Sequence, residues 1–65
     1  MKRVERVTAD MLRKMNIGDS IDFKLPSAGA LLSARSTAYR LKLLKQGLFR
    51  TSSPEDRVIT ITRIS

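Results

Sequence analysis

The chain carries no cysteine and no histidine in 65 residues, and this absence constrains its fold more than any residue it contains. Domains of this size bury only about 60% of the surface that the unfolded chain exposes, so many rely on disulfides or a structural zinc. Neither staple is possible here. The fold must be held by apolar packing alone, or must borrow a partner's surface. A hydrophobic content of 42% is enough for a core and too high for a disordered basic tail. The same absence removes a Ser-His-Asp triad, a cysteine nucleophile and a redox dithiol. The reading is one small basic domain over residues 1–65, not an enzyme, with no catalytic residue, no metal and no cofactor.

Local signals give an element order. Thr8 can cap a short helix, with Asp10 at its positive end and Met11, Leu12 and Met15 on one face. Asn16-Ile17-Gly18-Asp19 stops it. From Ser20 to Leu25 the residues alternate, with Ile21, Phe23 and Leu25 on one side, and Pro26 ends this strand. Ser27 can cap a longer helix from about Ala28 to Gln46, closed by Gly47. At about 100° per residue, Ala30, Ala34, Thr37, Ala38, Leu41 and Leu44 form its inner stripe. A thinner stripe of Leu32, Tyr39 and Leu43 needs its own cover, either the first helix or another subunit. Leu48–Ser52 and Arg57–Ile64 then read as a hairpin around Ser53-Pro54-Glu55-Asp56, with Ile59 and Ile61 on one face and Val58, Thr60 and Thr62 on the other. The expected fold is α+β: a short N-terminal helix, a strand, a long helix and a C-terminal β-hairpin. Its three antiparallel strands pack on one helix.

The net charge of +7 is concentrated. Residues 1–22 hold five cations against four acids, and residues 55–65 hold two of each. Residues 23–54 hold Lys24, Arg35, Arg40, Lys42, Lys45 and Arg50 with no acid at all. An ordinary solvated surface mixes both signs. A run of 32 residues without a carboxylate points instead to an anionic partner.

The binding residues read from this run are Arg35, Ser36, Thr37, Tyr39, Arg40, Lys42, Lys45, Arg50 and Lys24. Arginine forks onto phosphate or guanine, hydroxyls donate to phosphate, and tyrosine stacks or hydrogen-bonds. Lys24, Arg50, Thr60 and Thr62 offer a second candidate surface on the sheet, and Lys2, Arg3 and Arg6 a flexible basic arm. The pairs Asp19/Asp22 and Glu55/Asp56 fall where turns explain them, and Gly29 and Gly47 make no phosphate-cradling loop. No apolar run approaches the roughly 18–20 residues of a membrane span and no signal-peptide pattern opens the chain, so a cytoplasmic protein without a membrane partner is expected.

Two resemblances add to this. Ser33 to Phe49 resembles the recognition helix and first wing strand of winged-helix DNA-binding proteins, in which a Ser-Thr-x-Tyr-Arg start is followed by Leu-x-x-Leu-x-x-x-Gly-Leu and a hairpin wing, and the likeness runs over residues 33–64. It implies that Arg35, Ser36, Thr37, Tyr39 and Arg40 face a groove, and that Ser27 to Leu32 serve as a truncated second helix. Gly18-Asp19-Ser20, Phe23, Pro26, Ala34 to Arg40, Gly47 with Phe49, and Arg63-Ile64 together resemble small basic phage and mobile-element proteins. The functional expectation is a nucleic-acid-binding accessory or regulatory protein, with DNA favoured over RNA and a homodimer possible. The alternative is a protein-interaction or oligomerisation module that uses Leu32, Tyr39 and Leu43.

Overall fold

Thr8 begins the first helix by satisfying one of its orphan amides: its Oγ1 accepts from the Met11 N–H at 3.3 Å. Ser27 does the same for the long helix, accepting from the Ala30 N–H at 3.2 Å. In the computed structural model, which describes residues 1–65, the elements run β1 (Lys2–Arg3), α1 (Ala9–Arg13), β2 (Ser20–Lys24), α2 (Ala28–Leu43), β3 (Phe49–Ser52) and β4 (Val58–Arg63). The fold is mixed α+β, but it starts with a strand and its sheet has four strands in the order β1-β2-β4-β3. The helix-first arrangement with three antiparallel strands is therefore corrected. β1 runs parallel to β2 with α1 in the crossover, while β2–β4 and β3–β4 are antiparallel.

The added strand has a physical reason for escaping notice. Lys2-Arg3 shows no alternation, and both side chains are exposed. Its place is held through the backbone, where the Val4 N–H donates to the Lys24 carbonyl at 3.2 Å, and by Val4 packing on the core. These residues form an edge strand in place of a flexible arm. Residues 27–32 are not a separate second helix either: Ser27 caps α2 and the rest are its opening turns.

Both helices cover one face of the sheet. Phe23 stands opposite Ile59, and Ile21 opposite Ile61. With Ala34, Ala38 and Leu41 of α2 and Leu12 and Met15 from the α1 region, Phe23, Ile59 and Ile61 belong to a single buried cluster. The alanines leave room for α2 to lie close to the strands. Val58, on the other side of β4, is also buried but stands outside this cluster.

Leu44 is 57% exposed, although the inner stripe assigns it to the core. The helix ends three residues before the expected boundary. Lys45 takes the left-handed conformation at φ 57, the Gln46 N–H donates to the Leu41 carbonyl at 2.9 Å, and the Lys45 N–H donates to that of Lys42 at 3.1 Å. This is a Schellman ending with lysine where glycine is usual. Gly47 serves a different purpose, because a Cβ there would lie 2.8 Å from Cε2 of the Phe49 ring.

Arg63 ties the end of β4 to the first helix. Its Nη1 donates to the carbonyls of Met15 at 2.7 Å and Arg13 at 3.1 Å, its Nε donates to the Ser65 carbonyl at 3.2 Å, and its guanidinium lies 5.7 Å from the Phe49 ring centroid. Charged donors on carbonyls are the stronger hydrogen bonds, so Arg63→Ala is expected to cost about 1.5–3 kcal/mol. Urea unfolding reads this as a lower midpoint at constant slope. An unchanged midpoint would show that the clamp contributes nothing.

Candidate functional site

α2 turns its outer face to solvent along its length. Leu32, Ser36, Tyr39 and Leu43 form the outermost ridge, all exposed, because at about 100° per residue they stand opposite Ala34, Ala38 and Leu41. On one flank Arg35 and Lys42 border a cleft against β3, with Tyr39 and Phe49 in its wall. On the other flank Ser33, Thr37 and Arg40 border a cleft against the chain entering α1, lined there by Arg6 and Thr8. Cations therefore stand on both sides of a ridge that carries none.

Several of these side chains already have internal partners. Arg35 donates from Nη2 to Ser53 Oγ at 2.6 Å, which tethers it toward the β3–β4 loop. Thr37 is half-buried and its Oγ1 donates to the Ser33 carbonyl at 3.0 Å. It braces the helix instead of facing outward. The Lys42 Nζ lies 5.9 Å from the Tyr39 ring centroid, a cation–π arrangement worth about 0.5–1 kcal/mol at an exposed site. Lys45 follows the helix end. No acid occurs in α2, and the two ion pairs of the molecule, Asp10–Arg13 at 2.6 Å and Asp56–Arg57 at 3.6 Å, lie away from it.

The nine candidate residues fall on two surfaces, the helix and the open sheet face. Arg35, Ser36, Tyr39, Arg40, Lys42 and Lys45 belong to α2 or its end. Lys24 and Arg50 lie in the rows of the sheet that face away from the helices, in register with Val58 and Thr62 respectively. That open face is chemically different. Ser20 Oγ and Thr62 Oγ1 share a hydrogen bond at 2.8 Å, and Thr60 Oγ1 donates to Asp22 Oδ1 at 2.7 Å, so its hydroxyls are engaged with each other and with an acid. Arg6, by contrast, is brought to the Arg40 flank. Only its charge marked it in the sequence.

A left-handed lysine offers a direct test of how the basic end of α2 is built. Non-glycine residues adopt this conformation at a cost, and Lys45→Gly is expected to stabilise the domain by about 0.5–1 kcal/mol, measured by thermal or urea unfolding. Destabilisation would contradict the assigned helix ending. No helix is long and apolar enough to cross a membrane. No family model, curated protein or solved structure matches the chain.

Proposed function

We propose that the protein binds nucleic acid, duplex DNA in particular, through the outer face of α2. One observation carries this reading: the helix presents Arg35, Arg40 and Lys42 on its two flanks, with Lys45 at its end and no carboxylate along it. A helix with cations on both flanks suits a major groove, whose phosphate walls stand about 12 Å apart and whose floor carries the base edges. Arg35 and Lys42 reach one strand and Arg40, joined by Arg6, reaches the other. Ser36 and Tyr39 face the floor, where Leu32 and Leu43 can meet thymine methyl groups. Phosphate contacts dominate the affinity, and the ridge supplies any sequence preference.

Fluorescence anisotropy of a labelled duplex over a salt series tests this. Removing one cation from a phosphate should lower the slope of log affinity against log salt by about 0.9. Arg35→Ala and Arg40→Ala are each expected to weaken binding and reduce the slope by about one such step, whereas Arg50→Ala on the open sheet face leaves both unchanged. Equal losses from Arg50→Ala and Arg40→Ala would overturn the assignment to α2.

A second reading rests on a separate observation. Leu32, Tyr39 and Leu43 are 62%, 59% and 63% exposed, an apolar ridge of the kind that a protein partner or a second copy covers. Light scattering separates the readings. The DNA reading keeps this ridge for the groove, so it expects an oligomeric state that is unaltered in a Leu32→Ser, Leu43→Ser double variant. An oligomer that this variant dissolves would favour the interaction module.

A further inference from the structure

At the end of the sheet away from Arg63, a cavity of about 410 Å³ is bordered by Arg3, Lys24 and Arg57, with Leu25 and Pro26 in its wall and Glu5 as its one acid. We infer that this cavity is a binding site for a dianionic phosphate group, either free phosphate or a phosphomonoester. The parallel register places Arg3 beside Lys24 on adjacent strands, and like charges in register repel. No carboxylate relieves either of them within ion-pair distance. Arg57 has only Asp56, at 3.6 Å and almost wholly exposed.

Lys24 and Arg57 are oriented by carbonyls, which hold a charged head without neutralising it. The Lys24 Nζ donates to the Asp56 carbonyl at 3.2 Å, and the Arg57 Nη1 to that of Pro26 at 3.5 Å. Arg57 is fixed further by its backbone, in the left-handed conformation at φ 58 with its carbonyl accepting from the Leu25 N–H at 2.8 Å. Three cations and one acid leave a local charge of +2 among the lining residues. A phosphate monoester carries about −1.5 to −2 at neutral pH, and so matches this charge better than the single negative charge of a backbone diester. The volume falls within the ~300–1,000 Å³ of small-ligand sites, which leaves space for an ester substituent. This site is independent of the α2 surface.

Titration of the full chain with inorganic phosphate, followed by amide NMR at matched ionic strength with chloride as the control, tests the inference. Saturable shifts are expected at Arg3, Lys24, Leu25 and Arg57, with dimethyl phosphate producing none. Adenosine 5′-monophosphate binding more tightly than phosphate would identify an ester as the ligand; weaker binding would identify the free anion. Arg57→Gly removes the guanidinium while suiting the positive φ, so it should not lower the melting temperature and should lose affinity about tenfold. Arg3→Gln, which relieves the repulsion, should also lose affinity. Shifts spread over Arg35 and Lys42, an equal response to dimethyl phosphate, or full affinity in both variants would overturn it.

Discussion

The structure depends on the pairing of β4 along both of its edges. β2 and β3 are bound to each other only through this last strand, and it carries Ile59 and Ile61 into the core. The ladders continue past its ends, with the Leu25 N–H donating to the Arg57 carbonyl at 2.8 Å and the Ile64 N–H to that of Leu48 at 2.7 Å. Arg63 then fastens the strand to the carbonyls at the end of α1. Joining β4 to β2 closes a loop of about forty residues, a cost that grows only logarithmically with length. Without β4, β2 would keep only the short edge strand β1, and α2 would lose the surface its alanines rest on.

A core built on one side of one sheet decides where the charge goes. The buried residues are all apolar, so the 13 cations and 6 acids are distributed outside the core. On the open sheet face Asp22 accepts from Thr60 and Ser20 shares a hydrogen bond with Thr62, while Lys24 and Arg50 there carry no ion pair. The outer face of α2 holds no acid at all. Its cations stay unpaired by any acid, which is unfavourable for a surface that meets only water and favourable for one that meets phosphates. The same logic, on a smaller scale, applies to Arg3, Lys24 and Arg57.

Much of this is legible where the signal is local. Thr8 and Ser27 announce helix starts through side chains that cap neighbouring amides, and the alternation of Phe23 and of Ile59 with Ile61 marks one buried face. β1 is not legible, because two charged residues paired through their backbone leave no pattern. Leu44 is misplaced by the helical stripe because the helix turns at Lys45 and not at the glycine two residues later, whose missing side chain makes room for the Phe49 ring. The acid-free run identifies a class of partner, yet a linear run does not say which residues share a face. Strand alternation sets Lys24 and Arg50 apart from α2, whereas only the chain path into α1 brings Arg6 to Arg40. The tie from Arg63 to the end of α1 rests on contacts with residues some fifty positions away.

Amide NMR of the protein during titration with a short duplex tests the central claim most directly, because the two faces of the domain give separate resonances. Shifts should concentrate from Leu32 to Lys45, at the outward positions of α2, with Arg6 joining them and Ser20–Asp22 and Thr60–Thr62 remaining still. Shifts concentrated on the open sheet face, or none at low salt, would contradict it.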